Sequence, residues 1–214
     1  MWRWARAGSN EEYAKANPNL ETETAWTYEI GGVKEIIKNT TFRAAAFYQD
    51  ITDYQQHNYI NAAPAALVYN IDMVVYGLEL ELSRNFRNDL SGYLSYTFQD
   101  WEADSHPMDT EDTHYLLQNQ PKNRVVLGLA YKLWKNGVVE LNANYLGCRT
   151  SKQDDRMEDV TIVNIGAEQR FKLPRECAFI LKGYVNNITD RDYQLRYGYD
   201  MPGVTAGISG TLAF

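Results

Sequence analysis

Apolar and polar residues alternate with a period of two along most of this chain, and no other feature constrains its fold as strongly. Near the end of the sequence Ile208, Leu212 and Phe214 fall on one face, while Ser209 and Thr211 fall on the other. Residues 76–82, which read YGLELEL, alternate in the same way. Successive side chains of a β-strand point to opposite faces, so the pattern predicts strands, whereas a helix would scatter these leucines around its axis.

We predict about nine such strands, joined alternately by short and long connections. All six prolines fall outside them, as expected for a residue that cannot donate to a sheet ladder. Short turns on one side and long loops on the other are typical of an outer-membrane β-barrel. The strands are expected near residues 26–34, 40–50, 71–83, 90–101, 123–133, 138–147, 160–171, 177–187 and 203–214. The long loops are expected at about 51–70, 102–122, 148–159 and 188–202.

The composition agrees with a membrane barrel and excludes other classes. The 214 residues include 16 Tyr, a residue that favours boundaries between apolar and wet surroundings, and the net charge is −7. An acidic chain of this kind argues against a nucleic-acid partner, which requires a basic patch. The N-terminus has no apolar segment typical of a secretory signal, so we expect residue 1 not to be the native start of the full gene product.

Several motifs resemble the barrels of TonB-dependent receptors. Residues 17–24 read NPNLETET and 28–31 read YEIG, which resembles the family's NPNLKPET…YELG run, although Glu21-Thr22 replaces its Lys-Pro. Residues 77–82 match the family's GLELEL strand, and QPKNR at 120–124 is similar to its RPKHR strand entry. VNNITDRDY at 185–193 resembles VNNLFDRDY, and Met201-Pro202-Gly203 with the final Phe214 is similar to the family's ending.

This resemblance implies an all-β, antiparallel, up-and-down transmembrane β-barrel, of which residues 1–214 would supply about 9–10 of 22 strands as one unit without the plug domain. It implies a location in the bacterial outer membrane and uptake of a scarce nutrient, most often a ferric siderophore or related iron complex. The implied partners are outer-membrane lipid, the barrel-assembly machinery, the nutrient, and TonB acting through an N-terminal part that this sequence does not contain.

The alternation puts charged residues of both signs on the face opposite the apolar one, and a charge facing lipid is costly. The resemblance therefore requires ten of them to face the barrel lumen. In one interpretation they line a wet wall and form salt bridges with each other or with a plug. In the other they guide the substrate directly. These candidates are Glu29, Arg43, Glu79, Glu81, Arg124, Lys132, Glu140, Glu168, Arg170 and Lys182.

Leu212 and Phe214 resemble the C-terminal signal that the assembly machinery reads, with Ser209 where glycine is usual. A second interpretation of Phe214 is simple packing at the membrane interface.

The predicted loops contain the histidines and many aromatic residues, and they leave two interpretations open. His57, His106 and His114 together with the acidic run from Asp100 to Asp112 are either a loop site for haem or a metal chelate, or solvated residues. The aromatic residues are either an interface girdle or a platform for a catecholate, haem or sugar ring. They are Tyr54, Tyr59, Tyr69, Trp101, Tyr115, Tyr193, Tyr197 and Tyr199.

The sequence predicts no catalytic, cofactor or metal site, because it contains no Ser-His-Asp, zinc-type or phosphate-loop pattern. Besides a transporter, a self-contained pore or structural barrel stays open, since residues 2–6 would supply a tenth strand and bacterial barrels have even strand counts. A soluble ligand-binding barrel is disfavoured because its polar faces would point outward, and an enzyme is the least favoured alternative.

Overall fold

A computed structural model of the chain describes residues 19–57, 68–104, 119–150 and 156–214. In these residues nine strands form one antiparallel sheet, in the order β1-β2-β3-β4-β5-β6-β9-β10-β13, and two short hairpins stand apart from it. The sheet strands are β1 (Thr24–Ile37), β2 (Thr40–His57), β3 (Val68–Arg87), β4 (Leu90–Ala103), β5 (Asn123–Trp134), β6 (Gly137–Gly147), β9 (Val160–Lys172), β10 (Ala178–Asn186) and β13 (Thr205–Ala213). The hairpins are β7 (Arg149–Thr150) with β8 (Arg156–Met157), and β11 (Gln194–Arg196) with β12 (Tyr199–Asp200).

The all-β, up-and-down prediction is thereby confirmed, and the register shows how the sheet divides its side chains. On β3, Leu78, Leu80 and Leu82 share one face, which we call the apolar face. Glu79 and Glu81 share the opposite one, the polar face. The pairing carries this division unbroken from β1 to β13, because directly opposed residues of neighbouring strands point to the same side.

Short turns close the hairpins at one end of the sheet, the turn end. Asn39 and Asn136 occupy them with φ of 62° and 61°, a left-handed conformation that asparagine tolerates better than most residues. The long connections lie at the opposite end, the loop end. Because the strands run up and down in sequence order, successive connections lie at opposite ends of the sheet. Short and long connections therefore alternate along the chain.

Several strands run further than the alternation predicted. β2 reaches His57 and β3 starts at Val68, so both continue into the loop predicted over 51–70. Twenty residues at about 3.3 Å each make β3 roughly 66 Å long, far more than the apolar band of about 25 Å that a barrel wall needs. β3 therefore carries its part of the sheet well beyond such a band.

The described sheet has two free edges. β1 pairs with β2 alone and β13 with β10 alone, and every residue of β1 is exposed. Among the described residues no helix has the length and apolar character needed to cross a membrane.

Candidate functional site

All ten charged residues singled out from the sequence lie on the polar face. The pairing shows this directly, because Arg43 is opposite Glu81 on β3 and Lys182 is opposite Glu168 on β9. Arg124 and Lys132 lie on this face of β5, and Glu140 joins them from β6. The remaining members are Glu29 on β1, Glu79 on β3 and Arg170 on β9.

Only part of this set is satisfied by neighbouring groups. Lys182 Nζ lies 2.8 Å from Glu168 Oε2 in an ion pair. Arg124 Nε donates to Asn144 Oδ1 at 3.2 Å, and Lys132 Nζ donates to the Asn88 carbonyl at 3.4 Å. The other six of the ten have neither a hydrogen bond nor an ion pair to any described residue and stay available to water or a partner. They are Glu29, Arg43, Glu79, Glu81, Glu140 and Arg170.

A cavity of about 680 Å³ opens on the polar face near the turn end. Glu35 and Thr41 line it on one side, and Glu140 and Asn142 on the other. Tyr93 borders it where Gly128 leaves room, since a Cβ on Gly128 would lie only 2.2 Å from the tyrosine ring. The lining is mostly polar or acidic, and it suits a hydrated polar segment rather than an apolar ligand.

At the loop end of the polar face, by contrast, the side chains are aromatic and aliphatic. Ile51, Met73 and Val75 are buried and pack with the half-buried Phe47 and Trp101. Tyr69 and Ile71 continue the cluster along β3, with Tyr54 and Ala103 packed against them. We call this set the aromatic patch. It joins three of the aromatic residues noted in the sequence, Tyr54, Tyr69 and Trp101.

A β-bulge brings Tyr54 into the aromatic patch. The register shifts between Ile51 and Tyr54, where Asp53 has a φ of 60° and its N–H donates to Asp72 Oδ1 at 3.0 Å. The shift turns Tyr54 to the polar face, opposite Ile71. Without the bulge, simple alternation would leave this ring on the apolar face.

A basic group lies beside the aromatic patch. Lys122 Nζ lies 4.9 Å from the centre of the Trp101 ring and 2.6 Å from Asp100 Oδ1. The indole therefore sits next to both a cation and a carboxylate, and the half-exposed part of the patch offers a flat apolar surface with charge at its rim.

Across the loop end, a second group of residues forms a polar clamp. Arg149 is only 2% exposed, and its guanidinium donates to the Gln194 carbonyl at 2.6 Å and the Glu158 carbonyl at 2.7 Å. It thereby ties the β7–β8 hairpin to the β11–β12 hairpin. Its Nε has no hydrogen-bond partner among the described residues, and burial lowers the pKa of this guanidinium. We use the name loop clamp for Arg149, its carbonyl partners Glu158 and Gln194, and the nearby Asp159 and Asn187.

Asp159 and Asn187 hold the two chain segments that Arg149 joins. Asp159 bonds to the segment around Cys148, and Asn187 bonds to the segment around Arg191. Burial alone would raise the pKa of Asp159, but hydrogen bonds from the Cys148 N–H and the Tyr145 hydroxyl, with the charge of Arg156, bring it below its usual value. The Asn187 side chain accepts from the Arg191 N–H at 2.9 Å and donates to the Arg191 carbonyl at 2.8 Å. A cavity of about 320 Å³ lies between these segments.

The remaining loop predictions divide between this region and residues that the structure does not describe. Tyr193, Tyr197 and Tyr199 lie around the loop clamp rather than in the aromatic patch, so the eight predicted aromatic residues do not form one platform. Among the described residues no group of three or more His, Cys, Asp or Glu side chains is arranged to hold a metal ion. Outside the described residues lie Asn17, Pro18, Tyr59, His106, Asp109, Glu111, Asp112, His114 and Tyr115.

Sequence reasoning did not single out the loop clamp. Asn187 belongs to the VNNITDRDY motif, which was a signal for it, whereas Arg149 lies in a predicted loop where arginine is ordinarily exposed.

Solved structures of outer-membrane receptors share this fold. The ferripyoverdine receptor of Pseudomonas aeruginosa is 18% identical with a TM-score of 0.63, over 89% of this chain and 27% of the receptor. The copper transporter OprC is 16% identical with a TM-score of 0.71, over 91% and 33% of the two chains. The FrpB iron transporter of Neisseria meningitidis is 15% identical with a TM-score of 0.65, over 92% and 32%. This chain therefore spans about a third or less of each.

No curated protein sequence matches the chain. A family model does match, and it covers residues 4–188 under the description TonB dependent receptor-like, beta-barrel. Barrels of this family reside in the bacterial outer membrane and belong to transporters rather than enzymes. With most of its length covered by that model and its nine-stranded meander superimposing on part of solved receptor barrels, the chain belongs to the TonB-dependent receptor-like β-barrel family.

Proposed function

We propose that the chain forms part of the wall of an outer-membrane receptor that imports a ferric siderophore or a related iron complex. In this proposal the apolar face contacts lipid, the polar face lines the lumen, and further strands complete a barrel of about 22. A plug domain and TonB, both outside residues 1–214, supply gating and energy in this proposal. The ten charged residues of the polar face then line the water-filled wall against the plug.

The aromatic patch carries the choice of substrate class. It lies on the polar face at the loop end, where a ligand arriving from outside would first meet the wall. The exposed parts of Phe47, Tyr54 and Trp101 present ring surfaces, which bind the flat organic part of a chelate better than a bare ion. The ferripyoverdine receptor and the siderophore receptor PirA are among the similar structures, which supports the same class.

A binding experiment tests the substrate class. The chain is reconstituted in detergent, and a ferric catecholate chelate is titrated while tryptophan quenching is followed. We expect Trp101→Ala to weaken binding by roughly 1–2 kcal/mol, about five- to thirtyfold, because an aromatic anchor is lost. The matched control is Trp134→Ala at the turn end, which should leave the affinity unchanged. A chain that binds copper salts but no ferric chelate overturns the iron assignment.

A transport experiment tests the need for parts outside this chain. Residues 1–214 are expressed in cells that lack their own receptor, and uptake of the ferric chelate is measured. We expect no TonB-dependent uptake, because no plug couples the wall to the inner membrane. Restored TonB-dependent uptake by residues 1–214 alone would contradict this part of the proposal.

We also propose that Leu212 and Phe214 act as the assembly signal. Leu212 lies on the apolar face of β13, where it is 63% exposed, and Phe214 follows two residues later and is fully exposed. In the full-length receptor, Phe214→Ser should lower the amount inserted while leaving inserted barrels nearly as heat-stable. Normal insertion with a slightly lower melting temperature would instead assign Phe214 to packing alone.

A further inference from the structure

The two ends of the sheet carry opposite charge. Within four residues of the turns there are ten basic side chains and four carboxylates, a net of +6. The four predicted long loops contain six basic and thirteen acidic residues, a net of −7. The basic residues of the turn end are Lys34, Lys38, Arg43, Arg84, Arg87, Lys132, Lys135, Arg170, Lys172 and Arg175.

Six of these cations point to the apolar face or occupy the turns, and all six are exposed. Lys34 pairs with Phe42 and Arg84 with Thr40, which places both on the apolar face at the last turn-end positions. The Arg87 guanidinium lies 6.0 Å from the centre of the Tyr131 ring, on the same face. The other three are Lys38, Lys135 and Arg175. We call these six the basic rim.

Exposed aromatic side chains accompany the basic rim. The Arg84 guanidinium lies 5.5 Å from the centre of the Phe86 ring, and Phe86 is half exposed. Trp134 is 45% exposed next to Lys135. Aromatic rings beside cations, at the end of an apolar band, are the side chains that favour the depth of lipid headgroups. Asp89 is paired with Arg87 at 3.2 Å and offsets one of the six rim cations, whereas the other five have no ion pair among the described residues.

We infer that the basic rim binds the phosphates of anionic phospholipids, with phosphatidylglycerol as the representative headgroup. The inference rests on the proposed function, in which the apolar face contacts lipid. Cations beside a lipid-facing surface attract anionic headgroups within about a Debye length. Peptidoglycan, another polyanion near such a surface, would approach the tips of the turns, along the direction of the strands. The lipid is favoured because Lys34, Arg84 and Arg87 lie on the apolar face, and because Arg84 lies beside the half-exposed Phe86 ring.

Spin-labelled lipids test this inference. The chain is reconstituted in phosphatidylcholine bilayers that contain traces of spin-labelled phosphatidylglycerol or spin-labelled phosphatidylethanolamine, and the fraction of immobilised label gives the relative association constant. We expect phosphatidylglycerol to be preferred severalfold. The triple variant Lys34→Gln, Arg84→Gln, Lys135→Gln should remove most of this preference, so that the two labelled lipids associate about equally. Added salt should lower the preference as well.

The matched control removes three cations of similar height from the polar face, with Arg43→Gln, Arg170→Gln and Lys172→Gln. It changes the net charge equally and should keep the lipid preference. Equal immobilisation of both lipids by the unchanged chain, or equal loss in both triple variants, overturns the inference. So does sedimentation with purified peptidoglycan that depends on the basic rim while lipid selectivity is flat. Absence of any immobilised lipid would instead contradict the proposed function.

Discussion

The aromatic patch and the loop clamp lie at the same end of one sheet, yet different forces hold them together. The aromatic patch packs aliphatic and aromatic side chains such as Met73 and Trp101, and its order comes from burying apolar area. The loop clamp centres on a buried arginine, Arg149, bonded to two backbone carbonyls. Apolar packing is tolerant of partner identity, whereas a buried polar group depends on specific partners. We therefore expect the aromatic patch to be destabilised when a charge is introduced, and the loop clamp to be destabilised when its charge is removed.

Placing a charge in the aromatic patch should have the largest effect. Met73 is 3% exposed among Ile51, Val75 and their neighbours. Met73→Lys buries an unpaired ammonium there, and we expect a loss of about 3–5 kcal/mol in the free energy of unfolding. Urea unfolding of the reconstituted chain measures it. Met73→Leu, the conservative control, should cost under about 1.5 kcal/mol. Equal stability of the Lys and Leu variants would show that the patch is not packed.

Removing the charge from the loop clamp should have a smaller effect. Arg149→Met keeps an apolar stem of similar length but leaves the carbonyls of Gln194 and Glu158 without their donor. We expect a cost of about 1–3 kcal/mol, and faster amide exchange in both hairpins. Arg149→Lys should restore less than half of the loss, because one ammonium does not reproduce the planar fork of a guanidinium. Full tolerance of methionine would mean that the arginine does not hold the hairpins.

Acidification should have the smallest effect of the three changes, and in the loop clamp it should act through Asp159. The pKa of Asp159 is depressed in the folded protein, so its contribution is complete at neutral pH. That contribution is lost as the pH falls below the ordinary aspartate value of about 3.9 and through the lower folded value. Urea midpoints at about pH 5 and about pH 3 should fall further for the unchanged chain than for Asp159→Asn. An identical fall in both would assign the pH dependence to other groups.

The same contrast explains which parts of the structure could be predicted from the sequence. Alternation depends on nearest neighbours in sequence, so it predicted nine strands and placed Glu79, Glu81 and Leu78 on their correct relative faces. The outer parts of β2 and β3 were wrongly predicted as loop. In this segment the bulge at Asp53 interrupts the period of two, and the polar residues near it resemble a loop.

The loop clamp depends on long-range contacts, which a pattern along the chain does not contain. Arg149 meets the Gln194 carbonyl across 45 residues, and no local signal distinguishes it from an exposed loop arginine such as Arg156. Asn187 was visible only through its motif, because its contacts to Arg191 are local. Local periodicity therefore predicted the strands of the sheet, whereas the contacts between the loops were visible only in the structure.

The central claim is that the apolar face meets lipid and the polar face meets water. Single cysteines at positions 78 to 83 of β3, in a Cys148→Ala, Cys177→Ala background, test it after reconstitution in bilayers. Lipid-soluble and water-soluble thiol reagents should label alternate positions: Leu78, Leu80 and Leu82 from the lipid, and Glu79, Glu81 and Ser83 from the water. Uniform labelling of all six positions by the water-soluble reagent would contradict the account.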